Sequence, residues 1–136
     1  GEMIAAASGL GCRWNGRPAR VSKTKRLENA LVAHADAASF VNFGRGDAWT
    51  RLKAAIGFRA VWSDPYGYLS AATGRAEIML DPIMHTWDCA PFPVIFKEAG
   101  GYFGDWQGSR TIYAREALGV NISLLPQVLD LIGEDR

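Results

Sequence analysis

One segment of the second half constrains the fold most, because it carries a helix start, a helix stop and a following strand. It reads Trp-Asp-Cys-Ala-Pro-Phe-Pro-Val-Ile-Phe-Lys-Glu-Ala-Gly-Gly over residues 87–101. Asp88 is a residue type that often begins a helix as its N-cap. Gly100 or Gly101 can adopt the left-handed conformation that ends one. We therefore predict one helix over residues 88–99, followed by a strand over 102–105.

The rest of the chain alternates between strand-like and helix-like segments. Strands are predicted over residues 4–7, 12–14, 19–21, 31–35, 59–62, 76–80 and 117–121, and helices from Asp47, from Asp64-Pro65 and from Ser123. Asn15-Gly16 lies between the second and third strands and is a strong signal for a tight hairpin turn. The alternation predicts an α/β fold of layered sheets and helices. The 136 residues suffice for a single domain over 1–136.

Composition argues against several classes of protein. Hydrophobic residues make up 49% and charged residues 21% of the chain, which is typical of a globular domain. No apolar run approaches the roughly 20 residues that span a bilayer, and the first residues lack the features of a signal peptide. The two cysteines, Cys12 and Cys89, are too few for a disulfide framework. We therefore expect a cytoplasmic protein without a membrane partner.

A basic stretch coincides with the predicted hairpin. Six Lys or Arg residues and no acidic residue lie between Arg13 and Arg26. Only Trp14 offers a ring for base stacking there, and the net charge of the chain is only +1. A solvated hairpin face is favoured over a nucleic-acid surface, so we expect no nucleic-acid partner.

Two carboxylates and an imidazole lie just before the predicted helix. Asp81, His85 and Asp88 fall within eight residues, and Pro82 predicts a loop there. Carboxylates that a loop delivers to a helix N-terminus suit Mg²⁺, whereas an Asp–His–Asp set suits a transition metal. The alternative is that Asp88 only caps its helix, while His85 is a loop residue and Asp81 is solvated. From spacing alone, this alternative is favoured.

Two other places carry polar groups with open roles. Ser63 and Asp64 lie between a predicted strand and a predicted helix, where ligands bind in open α/β sheets. Asp64 either faces such a ligand or caps its helix. Glu98 lies one turn from a helix C-terminus, where negative charge is unfavourable for the helix dipole. We expect it to have a local partner such as a backbone amide.

An ordered set of motifs resembles the inositol monophosphatase family of Mg²⁺-dependent phosphomonoesterases. Trp87-Asp88 followed by Glu98-Ala99-Gly100-Gly101 is similar to the C-terminal signature of that family. The weaker matches are, in chain order, Gly9–Cys12, Asn15-Gly16, Val21-Ser22, Ser63-Asp64, Tyr66–Tyr68 and Ala72–Arg75. The run over 62–68 is closer to the histidinol-phosphatase branch, whereas His85 and Trp87 look more like the inositol branch.

The resemblance implies a fold and roles for particular residues. The fold is the C-terminal half of a sugar-phosphatase αβαβα architecture. Asp88 is implied to help hold a second catalytic metal, and the full-length enzyme to use two or more Mg²⁺ ions as a homodimer. The residues implied to face the substrate are Asp81, His85, Ser63 and Asp64. An acid at position 64 would suit the amine of histidinol phosphate.

The early Gly-Glu-Glu and Asp-Pro-x-Asp-Gly-Thr motifs of the family do not occur in this sequence. The resemblance therefore covers a C-terminal half, with the N-terminal metal-binding half absent. The expected function of the full-length parent is Mg²⁺-dependent hydrolysis of a small phosphorylated metabolite, of the histidinol phosphate or inositol phosphate class. The chain alone is expected to be inactive. The alternative is a non-catalytic binding or assembly module that retains the fold.

Overall fold

The computed structural model describes residues 1–62 and 65–133, which form eight strands and six α-helices in the described part of the chain. The strands are β1 (Ile4–Ala7), β2 (Gly11–Trp14), β3 (Arg17–Pro18), β4 (Leu31–His34), β5 (Phe58–Val61), β6 (Ile78–Asp81), β7 (Gly101–Gly104) and β8 (Ala117–Asn121). The helices are α1 (Ala38–Asn42), α2 (Gly46–Ala55), α3 (Tyr66–Ala72), α4 (Thr86–Cys89), α5 (Phe92–Ala99) and α6 (Leu125–Ile132), and a short 3-10 turn spans Leu27–Asn29. The predicted α/β class is confirmed.

Two sheets organise these elements. The first is antiparallel in the order β1-β2-β3, and the second has the order β5-β4-β6-β8-β7. Strands β5, β4 and β6 run parallel, while β8 is antiparallel to both β6 and β7. The predicted hairpin is confirmed, with φ angles of 48° at Asn15 and 81° at Gly16, as a tight two-residue turn requires. The strand predicted over 19–21 is wrong, because β3 ends at Pro18 and the Val21 N–H donates to the carbonyl of Ala99.

Helices α3 and α5 form a layer between the two sheets. Helix α5 contacts β1 and β2 on one side and β7 on the other, while α3 packs on β6 and β8. Residues of β6 alternate between two cores, as the two-residue period of a strand requires. Met79 faces the core beside α3 and α5, whereas Ile78 and Leu80 face the core beneath α1, α2 and α6.

The approach of α3 to the sheet depends on a glycine. A Cβ atom built on Gly67 would lie 2.3 Å from Sδ of Met79, far inside van der Waals contact. The side chain of Tyr68, the next residue, is fully buried in the same core. Gly67 therefore allows α3 to lie close enough to β6 for Tyr68 to reach the end of that strand.

The single helix predicted over 88–99 is wrong, since two helices occupy that segment. Helix α4 ends at Cys89, and Pro91 is the N-cap of α5. Proline lacks an N–H donor, and its ring conflicts with the carbonyl group one turn earlier, so a continuous helix would be strained there. The predicted helix end is confirmed, because Gly100 has a φ of 87° in the left-handed region.

Three predicted helix starts differ from the structure. Helix α2 begins at Gly46, so Asp47 lies inside its first turn rather than at the cap. The cap of α6 is Leu124, whose N–H donates to Oδ1 of Asn121 at 2.8 Å, so Ser123 is not the cap. Helix α3 begins at Tyr66 after Pro65. Asp64, the other predicted start residue, lies outside the described residues.

The six basic side chains between Arg13 and Arg26 are all exposed, as the interpretation of a solvated face predicts. Among the described helices, none is long and apolar enough to cross a membrane.

Glu98 connects the middle helical layer to the first sheet. Its two carboxylate oxygens accept hydrogen bonds from the backbone N–H groups of Gly9 at 3.0 Å and Gly11 at 2.9 Å. Backbone amide partners are thus confirmed, but the prediction of a local partner is wrong, because the two amides belong to the β1–β2 turn and to the start of β2. These hydrogen bonds, Gly9 first, hold the pKa of the Glu98 carboxyl below its ordinary value.

Glu98→Gln is expected to lower the melting temperature at neutral pH, because a neutral amide offers one acceptor where the carboxylate offers two. The carboxylate stabilises the fold above the pKa of the unfolded chain, and this contribution disappears as the pH falls through the lower pKa of the folded protein. The melting temperatures of the two proteins should therefore converge as the pH falls below the ordinary carboxyl pKa and through the lower pKa of Glu98 in the folded protein. Glu28→Gln, which changes an exposed ion pair with Arg26, is the control. A difference in melting temperature that persists unchanged in acid would contradict this account.

Candidate functional site

The carboxyl ends of three parallel strands meet at one edge of the second sheet. Strands β4 and β5 are paired so that His34 lies opposite Val61, and β6 ends nearby at Asp81. Ligands of open α/β sheets bind at this kind of edge. The candidate site is therefore built where strand ends and the loops that follow them converge.

Asp81 is the last residue of β6 rather than part of a solvated loop. Its side chain is only 6% exposed. The hydroxyl of Tyr68, on α3, donates a hydrogen bond to its Oδ2 atom at 2.8 Å. The alternative that Asp81 is a solvated loop residue is therefore wrong. Because strand and helix together fix this carboxylate, it stands in one orientation at the sheet edge.

Asp88 lies in α4 with an exposed side chain. The N-cap of α4 is His85, and no side-chain capping bond is made there. The alternative in which Asp88 acts only as an N-cap is therefore wrong. The carboxylate instead borders an open pocket of about 300 Å³. The other described lining residues are Pro65, Met84, Trp87, Pro91 and Phe92.

An aromatic pair stands at one side of this pocket. The rings of His85 and Trp87 are stacked, with centroids 4.6 Å apart and planes 11° from parallel. Trp87 is 72% exposed although it is a large apolar side chain. An exposed aromatic surface beside a pocket is suited to contacting a ligand. His85 stacks on Trp87, which lines the pocket. Contact between His85 and a substrate stays a prediction.

Ser63 and Asp64, two predicted substrate residues, lie outside the described residues. Their described neighbours are part of the site or next to it. Pro65 lines the pocket beside Asp88. The ring of Trp62 meets that of Tyr66 edge to face, with centroids 5.5 Å apart.

The described residues contain part of a metal site at most. No group of three Asp, Glu, His or Cys side chains suited to a metal ion occurs within 1–62 and 65–133. The predicted Asp81–His85–Asp88 set for a transition metal is therefore not formed. The exposed oxygens of Asp88 fit a Mg²⁺ ion, which binds through one or two carboxylates and several waters. The role of Asp88 as a metal ligand stays a prediction.

Cys89 lies close to both acids but is not suited to binding a metal. Burial, and then the charges of Asp88 and Asp81, raise the pKa of its thiol to about 11. The thiol is therefore protonated at neutral pH in the metal-free protein, and a hard cation such as Mg²⁺ prefers oxygen ligands to sulfur.

Sequence reasoning missed His34 at the same sheet edge. Its side chain is buried, its Nδ1 atom lies 2.8 Å from the carbonyl oxygen of Ala35, and its ring meets that of Trp49 at 4.8 Å. Burial lowers the pKa of the imidazole, which is therefore neutral at pH 7. The signal available in the sequence was a polar residue at the end of an apolar strand. The contacts of His34 with the core are those of a structural histidine.

A helical layer between two sheets, with one fixed carboxylate at the carboxyl edge of parallel strands, defines a layered α/β protein with a candidate ligand site at a sheet edge. The sequence model of the inositol monophosphatase family matches residues 1–132, and the chain belongs to that family. The predicted resemblance is thereby confirmed.

Several relatives support this assignment. A protein named histidinol-phosphatase from Chlorobaculum parvum is 33% identical over 118 residues, which are 87% of this chain and 46% of that protein. Chloroplastic phosphatase IMPL1 from Arabidopsis thaliana is 28% identical over 142 residues, covering 96% of this chain and 36% of that protein. The chain thus spans about half the length, or less, of these relatives.

Solved structures show the same fold. An inositol monophosphatase from Zymomonas mobilis superimposes with a TM-score of 0.90 at 18% identity, over 98% of this chain and 53% of that one. The extragenic suppressor protein suhB from Bartonella henselae gives a TM-score of 0.87 at 20% identity, over 99% and 53%. At these identities the likeness establishes the architecture alone.

Proposed function

We propose that the full-length protein is a Mg²⁺-dependent phosphomonoesterase of small phosphorylated metabolites. The observation that carries the proposal is the exposed carboxylate of Asp88, which borders a pocket. Asp88 also belongs to the Trp-Asp pair that resembles a motif of the inositol monophosphatase family, to which the chain belongs. In this role Asp88 supplies one metal ligand. Divalent ions at such sites activate a water and stabilise the leaving oxygen of the phosphate.

The proposed substrate side consists of Asp81, His85, Ser63 and Asp64. Tyr68 holds the Asp81 carboxylate in place, so that its charge can attract an amine without reorganising. The curated relative at 33% identity is named for histidinol phosphate hydrolysis, which supports an amino-alcohol phosphate as substrate, with an inositol phosphate as the alternative. We further propose a cytoplasmic homodimer, as the family resemblance implies.

The proposal is tested by phosphate release from the purified full-length protein. Histidinol phosphate and inositol monophosphate should be compared with and without Mg²⁺, with a chelator control. The proposal expects turnover of at least one ester that disappears on metal removal. Full activity in excess chelator would contradict metal dependence. Binding of these esters without hydrolysis would favour the alternative, a binding or assembly module.

The 136-residue chain alone is expected to show no Mg²⁺-stimulated phosphatase activity. Its described residues offer no three-ligand cluster, and a single carboxylate leaves most of the coordination of the ion to water, so Mg²⁺ binds weakly. The measurement is phosphate release by the purified chain under conditions in which the full-length protein is active. Robust turnover that Asp88→Ala abolishes would contradict this prediction.

A further inference from the structure

One arginine connects both ends of α3 to each other. Arg75 lies just after the helix, and its Nη1 atom donates a hydrogen bond to the hydroxyl of Tyr66, the first residue of α3, at 3.1 Å. Its Nε atom donates to Oγ1 of Thr73, at the C-terminal end of α3, at 2.9 Å. A planar guanidinium with several fixed donors can hold both groups in one geometry, which a lysine cannot.

The same guanidinium is fixed to the first sheet. Its Cζ atom lies 4.2 Å from the ring centroid of Trp14 on β2, within the range of a cation–π contact. Its Nη2 atom lies 2.9 Å from Oε1 of Glu2, and the indole N–H of Trp14 donates to that same oxygen at 2.9 Å. Arg75 therefore connects α3 to the first sheet.

Helix α3 carries two parts of the candidate site. Pro65, directly before Tyr66, is one wall of the pocket beside Asp88. Tyr68, in the first turn, holds the carboxylate of Asp81. The metal-ligand candidate Asp88 belongs to a different element, α4. A shift of the first turn of α3 would therefore move the substrate side of the site and leave the metal side in place.

We infer that Arg75 is a positioning residue for substrate binding. Through Tyr66, it fixes the first turn of α3 against the first sheet and thereby sets the position of Pro65 and, through Tyr68, the orientation of the Asp81 carboxylate. This inference rests on the proposed function, because it assigns affinity for the phosphate ester to a residue outside the pocket. Replacing Arg75 is therefore expected to change KM rather than kcat, because the chemical step depends on metal ligands outside α3.

The test uses Arg75→Met in the full-length protein, with Arg51→Lys as a control at an arginine outside α3. Arg51 also has a structural bond, from its Nε atom to the carbonyl of Leu131 at 2.7 Å, but it joins α2 to α6. Arg75→Met is expected to raise KM about tenfold with kcat changed less than about twofold, because misplaced binding groups weaken substrate binding. The control is expected to leave KM unchanged.

Arg75→Lys provides a second variant if Arg75→Met does not fold. It keeps the charge near Glu2 and Trp14 but loses the planar fork, so its KM should lie between those of the wild type and Arg75→Met. An unchanged KM in both variants, or a loss confined to kcat, would overturn the inference. A change of KM in Arg51→Lys equal to that in Arg75→Met would overturn it as well.

Hydrogen–deuterium exchange separates this inference from the proposed function. Amides of residues 66–69 are expected to exchange several-fold faster in Arg75→Met, with no change in Arg51→Lys. If the wild-type protein hydrolyses no phosphate ester, the proposed function fails. The exchange rates alone then test whether Arg75 holds the first turn of α3 in place. Equal exchange in the wild type and Arg75→Met would then overturn the role of Arg75.

Discussion

Full-length protein carrying Asp88→Asn is expected to lose about a hundredfold or more in kcat, because metal stabilisation of charge contributes several kcal/mol to such reactions. Asparagine matches aspartate in size but cannot supply an anionic oxygen to Mg²⁺. The melting temperature should stay within about 2 °C of the wild type, as is usual for surface changes. The structure supports this because Asp88 is exposed and caps no helix.

The matched control is Asp47→Asn, which alters another exposed aspartate in the first turn of a helix. It should leave both kcat and melting temperature close to the wild type, since α2 lies on the opposite face of the second sheet from α3 and α5. The measurements are steady-state phosphate release across Mg²⁺ concentrations and thermal denaturation of each variant. If an Asp88 variant loses folded protein in proportion to its loss of activity, the role of this residue is structural.

Local signals predicted most of the strands and the ends of several elements. Asn15-Gly16 specifies its turn by backbone preference alone, and the end of α5 at Gly100 follows from the same kind of preference. The break before α5 was also encoded locally, by Pro91, but the apolar run around it suggested continuity. Helix α1 was not predicted, because five residues with one buried side chain give no helical pattern.

The site was only partly predictable, because its geometry depends on contacts distant in sequence. Spacing placed Asp81 and Asp88 near each other, but burial of Asp81 depends on its position at the end of a strand that is covered on both faces. The bond from Tyr68 to Asp81 and the contact between Arg75 and Trp14 arise only when α3 docks between the two sheets. No periodicity in the chain carries that information.

The connection between the two sheets likewise depends on contacts between residues distant in sequence, which the sequence pattern does not predict. Residues 22–24 lie in the chain between the two sheets and have no regular secondary structure, and the buried side chain of Asn121 contacts them. Nδ2 of Asn121, at the end of β8, donates toward three oxygens: the carbonyl of Ser22 at 3.2 Å, its Oγ at 3.0 Å and the carbonyl of Thr24 at 3.0 Å. Its Oδ1 accepts from the N–H of Leu124 at 2.8 Å. Asn121 is only 1% exposed.

Asn121→Asp in the 136-residue chain is expected to lower the free energy of unfolding by about 3 kcal/mol or more. The substitution keeps the size and the acceptor for Leu124, but it replaces a donor with a buried charge that faces the carbonyl oxygens of Ser22 and Thr24. Asn121→Ala should cost about 2–3 kcal/mol, because it leaves the Leu124 N–H and these carbonyl groups without their partner. Both losses exceed those expected at exposed positions.

Urea denaturation of the chain measures these losses as a shift of the midpoint at constant slope. Asn29→Asp is the control, since it makes the same chemical change at an exposed position of the 3-10 turn and should stay within about 0.5 kcal/mol of the wild type. Because the aspartate can bind a proton, acidification should narrow the gap between Asn121→Asp and Asn121→Ala. A loss below about 1 kcal/mol for both variants would mean that other contacts, such as the one between Glu77 and Thr24, hold residues 22–24 in place without Asn121.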